Sequence, residues 1–293
     1  MSIRLLALDL DGTLLTPRGE LTARNRAAVQ AARAGGVYVT VVTGRRFRDA
    51  RPLVLQLGLD DVPLISHNGA LTKHVHTLET VSATLLPEAA ARAVVNVGRD
   101  AGADALVSAD PHGAGVMLYE SINAGNHALI RYLQWCERIH GAEARYSVRR
   151  VASLDEHWHE QAIHLSFSGG CAPMAELRAR LNAEIGDAVK IYPTIYPKLD
   201  FTLLDILHPA ASKAVGLAAA AAEIGASPNE VMAIGDNFND LTMLEYAGTG
   251  VIMGNADATL RQRPDFHETA ANTDDGVARA IEKFILKNRS GGI

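Results

Sequence analysis

The sequence predicts an α/β protein with a doubly wound parallel sheet and an inserted second domain. Three observations predict this. Short apolar runs at three distant places end in carboxylate, hydroxyl and glycine residues. Strand-like and helix-like segments alternate near both ends of the chain. This alternation stops near Pro87. Ligand sites lie at the carboxyl ends of parallel strands, so three such ends should form one pocket rich in carboxylates. Such a pocket suits a divalent cation and a phosphate.

The first part of the core domain is predicted over residues 1–83. Continuous apolar runs, as at residues 3–10, are typical of strands that are covered on both faces. Thr22 is a suitable N-cap for the first helix, and Gly35 with Gly36 ends it. The predicted strands are 3–10, 37–42 and 64–66, and the predicted helices are 22–34 and 48–57. This order is the βαβ pattern.

An inserted domain is predicted over residues 84–206, because strand-like segments there follow one another without a helix between them. Such neighbours favour an antiparallel α+β sheet. The predicted helices are 88–101, 127–140 and 174–185, and the predicted strands are 105–108, 116–120, 145–151, 162–168, 189–192 and 201–207.

The first pattern returns near Lys213, so residues 207–293 are predicted to complete the core domain. The alanine-rich segment 214–224 has strong helix propensity. The other predicted elements are strands at 231–234 and 250–253, a helix that begins at 241–246 and a closing helix at 277–286.

The composition is that of a soluble globular protein, with 48% hydrophobic and 21% charged residues among 293. The net charge of -5 disfavours a nucleic-acid partner, which usually requires a basic surface. No stretch approaches the roughly 18 apolar residues of a membrane span, so no membrane partner is expected. Only Cys136 and Cys171 are present, too few for a disulfide framework, and we expect a cytoplasmic protein that is a monomer or a small homo-oligomer.

The first apolar run ends in Asp9-Leu10-Asp11-Gly12-Thr13. In an extended segment residues i and i+2 point the same way, so Asp9 and Asp11 are predicted to face one site. Two neighbouring carboxylates differ in proton affinity, so one can attack phosphorus while the other moves protons. A turn at a strand end without any chemistry is the alternative for this motif alone.

Two further strand ends carry Thr43-Gly44-Arg45 and Gly235-Asp236-Asn237-Phe238-Asn239-Asp240. The hydroxyl of Thr43 and nearby amides can bind phosphate oxygens, although a plain loop threonine is the simpler interpretation of that motif alone. Lys213 begins a helix after Ser212, a suitable N-cap. A lysine there opposes the helix dipole unless an anion lies nearby.

Together, the segment from Asp9 to Leu15 and the order of these motifs resemble the haloacid dehalogenase (HAD) superfamily, most closely its Cof-type subgroup (type IIB). The resemblance covers nearly the whole chain. It implies a Rossmann-like core with a large α/β cap that selects the substrate. It also implies a magnesium-dependent phosphatase for small phosphorylated metabolites, such as sugar phosphates or phosphorylated cofactors.

The resemblance implies a role for each motif residue. Asp9 would form an aspartyl-phosphate, Asp11 would be the general acid and base, and Asp240 would orient Lys213 or a metal-bound water. The Mg²⁺ ligands would be the carboxylates of Asp9 and Asp236 and the backbone carbonyl of Asp11. Lys213 would also be catalytic, because it would neutralise the phosphate and the nucleophilic carboxylate. The phosphate or substrate would be held by Thr43, Gly44, Asn68, Lys213 and Asn239.

Two other functions remain open at this point. A phosphomutase or phosphotransferase would pass the same phosphoryl group to a sugar hydroxyl. A non-catalytic protein would bind phosphorylated metabolites without turnover, but the intact set of Asp9, Asp11, Lys213 and Asp236 disfavours it. The nearby His157 and His159 are not interpreted as a second metal site, because their spacing lacks an organised third ligand.

Overall fold

The computed structural model describes residues 2–59 and 62–287. The chain divides into two compact units, Met1–Ser82 with Ser212–Ile293, and Ala83–Ala211. The strands are β1 (Leu5–Leu8), β2 (Tyr38–Val41), β3 (Leu64–Ser66), β4 (Leu71–Lys73), β5 (Thr80–Ala83), β6 (Leu106–Ala109), β7 (Val116–Tyr119), β8 (Val148–Arg150), β9 (His164–Gly169), β10 (Lys190–Tyr196), β11 (Phe201–Leu207), β12 (Val231–Gly235), β13 (Thr249–Ile252) and β14 (His267–Glu268).

The α-helices follow the same order along the chain. They are α1 (Ala23–Ala34), α2 (Phe47–Gln56), α3 (Glu88–Asp100), α4 (His127–His140), α5 (Ala144–Ser147), α6 (Cys171–Glu184), α7 (Lys213–Glu223), α8 (Leu241–Tyr246), α9 (Ala258–Arg261) and α10 (Gly276–Ile281). A π-helical turn, Glu282–Leu286, continues α10. No helix in the described parts of the chain is long and apolar enough to cross a membrane.

A parallel sheet in the order β14-β13-β12-β1-β2 forms the centre of the first unit. Strand β1 lies between β12 and β2, with Leu8 opposite Ile234 and Val41. All four residues of β1 are buried, as expected for a strand with both faces covered. Because β1, β2 and β12 are parallel, the motifs that follow them lie at the same edge of the sheet. The predicted parallel α/β core is confirmed.

The third predicted strand does not join this sheet as a full neighbour. Strand β3 pairs in antiparallel fashion with β4, in a small sheet of order β3-β4-β5. Among the described residues, its link to the parallel sheet is a single bridge between Val42 and Ile65. The sequence pattern did not predict β4, β5, α9 and β14. These elements have two to four residues, which is too short for a periodic pattern to stand out.

The second unit contains a six-stranded sheet in the order β10-β11-β9-β6-β7-β8. Its pairs are antiparallel, as predicted, except that β7 and β8 are parallel. The exception follows from the connection, since α4 and α5 lie between these strands and a parallel pair needs a long crossover. The strand predicted from residue 145 begins only at Val148, because Ala144–Ser147 forms α5.

Candidate active site

Lys213 lies at the centre of the motif residues. Its buried Nζ donates to Oδ1 of Asp9 at 2.6 Å and to Oδ1 of Asp240 at 2.5 Å. The hydroxyl of Ser212 accepts from the backbone N–H of Val215 at 3.3 Å and caps α7, so the helix begins at Lys213 as predicted. A cation at a helix N-terminus is unfavourable, and the two carboxylates offset this cost.

The titration of the buried groups reflects their crowding. Burial lowers the pKa of Lys213, but the charges of Asp240 and Asp9 outweigh it and raise that pKa above its ordinary value. Burial, then the charge of Asp240, raises the pKa of Asp9, although Lys213 acts against this. Burial and Asp240 also raise the pKa of Asp236 to about 6. One ammonium group thus lies among three crowded carboxyl groups, which raises the pKa of two of them.

Asp240 is held on both of its oxygens. Oδ1 accepts from Lys213, and Oδ2 accepts from the backbone N–H groups of Asp236 and Asn237, both at 2.9 Å. A β-carbon at Gly235 would lie 2.6 Å from the Asp240 side chain, which explains the glycine at the end of β12. Asp240 therefore shapes the loop that carries Asp236.

Asp9 and Asp236 supply a carboxylate set that fits a divalent cation. Carboxylate oxygens of Asp9, Asp236 and Asp240 lie within 4.8 Å of one another. Thr13 donates from Oγ1 to Oδ1 of Asp236 at 2.9 Å. Gly12 has a φ of +88°, and a β-carbon there would overlap the Asp236 carboxylate. Magnesium prefers one or two carboxylates together with waters and phosphate oxygens, so this donor set fits Mg²⁺.

Residues from the segments that follow β2, β3 and β12 contact one another. The buried Thr43 accepts from the backbone N–H of Arg45 through Oγ1, at 3.1 Å. A β-carbon at Gly44 would lie 3.0 Å from Oδ1 of Asn68, so glycine allows this close approach. The same Oδ1 accepts from Nδ2 of Asn239 at 2.9 Å. Thr43, Gly44, Asn68 and Asn239 are thus brought together.

The turn that carries Asn68 is strained. His67, Asn68 and Gly69 have φ values of 51°, 53° and 90°. A left-handed conformation costs a non-glycine residue of order 1–3 kcal/mol and persists only where the surroundings enforce it. Here Asn68 donates its N–H to the carbonyl of Thr43 at 3.1 Å, and His67 donates to that of Arg45 at 2.9 Å. The turn is therefore fixed to the loop after β2.

The sequence did not predict the contact of Arg45 with Asp11. The Nε and one terminal nitrogen of Arg45 donate to the two oxygens of Asp11, at 2.8 and 2.6 Å. In the structure Asp9 pairs with Lys213, and Asp11 pairs with Arg45, a contact that the sequence did not predict. The available signal was the arginine in Thr43-Gly44-Arg45, at the same sheet edge as Asp11.

The model of the haloacid dehalogenase-like hydrolases matches residues 6–281. The chain belongs to this family. It is 31% identical to the pyridoxal phosphate phosphatase YbhA of Escherichia coli (strain K12), over 98% of this chain and 100% of that protein. It is also 27% identical to the 5-amino-6-(5-phospho-D-ribitylamino)uracil phosphatase YwtE of Bacillus subtilis (strain 168), over 97% of this chain and 98% of that protein.

Solved structures of the family share the fold. A haloacid dehalogenase-like hydrolase from Bacteroides thetaiotaomicron has a TM-score of 0.80 at 23% identity, covering 96% of this chain and 99% of that one. A HAD subclass IIB sugar phosphatase has a TM-score of 0.74 at 21% identity, covering 96% of this chain and 98% of that one. The predicted family and the predicted hydrolase class are confirmed.

A second cluster lies outside the motifs that are typical of the family. Ligand atoms of His157, His159 and Glu160 lie within 4.8 Å of one another, so the structure does bring a third group to the two histidines. However, Oε1 of Glu160 accepts from the guanidinium of Arg149 at 2.7 Å and lies 3.2 Å from Nδ1 of His157. A metal ion would have to displace both partners from this oxygen.

Proposed function

We propose that this family member is a magnesium-dependent phosphatase, which hydrolyses small phosphorylated metabolites through an aspartyl-phosphate on Asp9. One observation carries the proposal. Asp9 follows a central strand and is held by a buried lysine at 2.6 Å, next to a second carboxylate, Asp236, that can share a cation with it. A positioned carboxylate beside a cation and a lysine is suited to attack phosphorus.

The chain supplies the groups for both halves of the reaction. Lys213 fixes one oxygen of Asp9, and the carboxylate attacks phosphorus while the bond to the leaving oxygen breaks. Asp11 gives a proton to that oxygen. Water then attacks the aspartyl-phosphate, and Asp11 accepts the proton of the water as the bond from phosphorus to Asp9 breaks. The ammonium of Lys213 opposes the negative charge on the phosphoryl oxygens throughout.

The remaining motif residues bind and orient. The hydroxyl of Thr43, the amide of Gly44 and the side chains of Asn68 and Asn239 are proposed to hold the phosphoryl oxygens, since these groups cluster on the segments that follow β2, β3 and β12. Magnesium would be held by the carboxylates of Asp9 and Asp236 and the carbonyl of Asp11, and would neutralise phosphoryl charge.

The proposed substrates are phosphate monoesters of small metabolites, including phosphorylated cofactors and sugar phosphates. Relatives that match nearly the whole chain are named phosphatases of pyridoxal phosphate and of a phosphoribitylaminouracil, which supports this class. Water is proposed as the acceptor of the phosphoryl group. The competing phosphomutase would return an isomeric phosphate instead.

The test is phosphate release from p-nitrophenyl phosphate and from a panel of metabolite phosphates, with Mg²⁺ and with EDTA. Asp9→Asn removes the nucleophile, and Asp265→Asn makes the same change at an exposed aspartate. We expect turnover that requires both Mg²⁺ and Asp9 and is retained in Asp265→Asn. Full turnover in Asp9→Asn would refute the nucleophile. Isomer formation without phosphate release would favour the mutase, and binding without turnover would favour a sensor.

A further inference from the structure

We propose that Arg45 is a positioning residue for Asp11 and acts on the reaction through this carboxylate rather than on the substrate. The inference rests on the proposed function. The guanidinium donates from Nε to Oδ2 of Asp11 at 2.8 Å and from a terminal nitrogen to Oδ1 at 2.6 Å. Two parallel, charge-assisted bonds fix the plane of a carboxylate as well as its position.

Asp11 needs such support more than the other carboxylates of the site do. Its side chain is 58% exposed, whereas that of Asp9 is 7% exposed and is held by Lys213. An exposed aspartate samples several rotamers, and only some of them can reach the leaving oxygen. Misplacement of a catalytic group by about 1 Å can cost ~100-fold in rate, so a fixed rotamer has kinetic value.

The backbone of Arg45 is held by hydrogen bonds at both its N–H and its carbonyl. Its backbone N–H donates to Oγ1 of Thr43 at 3.1 Å, and its carbonyl accepts from the N–H of His67 at 2.9 Å. The side chain is only 27% exposed. The anchor therefore belongs to the same loop and strained turn that form the proposed phosphate site.

Neighbouring cations are engaged elsewhere. Arg46 makes two hydrogen bonds of 2.8 Å to the buried Asp49, and Lys213 is enclosed between Asp9 and Asp240. Neither is placed to take over the contact with Asp11. Loss of Arg45 should thus remove both hydrogen bonds from Asp11, while Asp9 and Lys213 stay in place.

The chemistry gives this role a specific signature. In the acid form one oxygen of Asp11 carries the proton and the other accepts from Arg45. As the bond from phosphorus to the leaving oxygen breaks, that proton moves to the leaving oxygen, and in the second half water returns a proton to Asp11. Arg45 stays protonated throughout. Proton donation matters most when the leaving oxygen is basic. A misplaced Asp11 should therefore slow esters of poor leaving groups more than esters of good ones.

The experiment compares kcat/KM for p-nitrophenyl, phenyl and benzyl phosphate, three phosphate monoesters whose leaving oxygens are increasingly basic. The variants are Arg45→Gln, Asp11→Asn and the double variant. Arg45→Lys keeps the positive charge but cannot make two parallel hydrogen bonds to Asp11. Arg261→Gln is the matched control, because it removes an exposed ion pair between Arg261 and Glu268. Thermal unfolding and its shift by Mg²⁺ show whether each variant folds and binds the metal.

We expect Arg45→Gln to lower kcat/KM about 10- to 100-fold for benzyl phosphate and much less for p-nitrophenyl phosphate. Arg45→Lys should recover little of this loss. In the Asp11→Asn background, removal of Arg45 should cost almost nothing more, because residues that act as one unit are not additive. Arg261→Gln should match the wild type.

Two results would overturn the inference. Equal losses for all three esters, adding fully to those of Asp11→Asn, would mean that Arg45 binds the substrate directly. A wild-type rate for benzyl phosphate in Arg45→Gln would mean that Asp11 needs no partner. In both cases the wild type still turns over, so the proposed function stands. A wild type that hydrolyses neither these esters nor any metabolite phosphate would refute the proposed function and the inference with it.

Discussion

Replacement of Lys213 by methionine removes the ammonium and keeps most of the side-chain volume. The lysine side chain is 0% exposed and bridges carboxylates that are 7% and 1% exposed, at 2.6 and 2.5 Å. Removal of one partner from a buried ion pair costs about 3–5 kcal/mol, because a charge is left buried and unpaired. Here two carboxylates lose their partner, so we expect a loss of at least about 3 kcal/mol in the free energy of unfolding at neutral pH.

The loss should depend on pH and on metal. Lys213 lowers the pKa of Asp9, so its removal raises that pKa further above the unfolded value. A carboxyl with a raised pKa destabilises the folded state above that pKa and ceases to do so once it is protonated. The difference between variant and wild type should therefore shrink as the pH falls. Mg²⁺ should shrink it too, since a bound cation replaces part of the lost charge.

The assay is urea unfolding in EDTA and in Mg²⁺, following the transition whose midpoint Mg²⁺ shifts in the wild type. Lys198→Met changes an exposed lysine in the same way and should stay within about 0.5 kcal/mol of the wild type. A loss below about 1 kcal/mol for Lys213→Met in EDTA at neutral pH would refute the reasoning, because the carboxylates would then not depend on the ammonium.

Three other predictions follow from particular contacts. Gly12→Ala should weaken the stabilisation by Mg²⁺, since a β-carbon would overlap Asp236, and unchanged Mg²⁺ titrations by thermal shift would contradict this. Asn68→Gly should be more stable than Asn68→Ala by about 1 kcal/mol, because φ is 53° there and alanine resists that conformation; equal melting temperatures would argue against strain. Arg99 lowers the pKa of Glu120, so this carboxylate stabilises the fold above pH 4.5 and loses its contribution as the pH falls through its folded pKa. Glu120→Gln should therefore reduce the fall of the melting temperature at acid pH. A fall identical to that of the wild type would mean that the ion pair between Arg99 and Glu120 does not cause it.

Elements with strong local signals were predictable from the sequence. Thr22 accepts from the N–H of Asn25 at 3.1 Å and caps α1 as predicted, and the apolar runs before Asp9 and Asp236 are buried strands. The buried position of Lys73, by contrast, has no local signal in the sequence. This lysine is fully buried in β4 and its Nζ lies 5.5 Å from the ring centre of Phe47, a placement that depends on a residue from another element.

The sequence by itself determined which motifs gather at the candidate site, because each motif directly follows an apolar strand and parallel strand ends meet at one edge of a sheet. The resemblance implied that Lys213 neutralises the nucleophilic carboxylate, but only the tertiary structure decided the geometry of the charge pairs and the pairing of Arg45 with Asp11. Lys213 reaches Asp9 across 204 residues and Arg45 reaches Asp11 across 34, and these choices depend on the side-chain directions that the loops impose. The reason is physical: strand and helix formation follow local periodicity, whereas a buried ion pair depends on distance and desolvation in three dimensions.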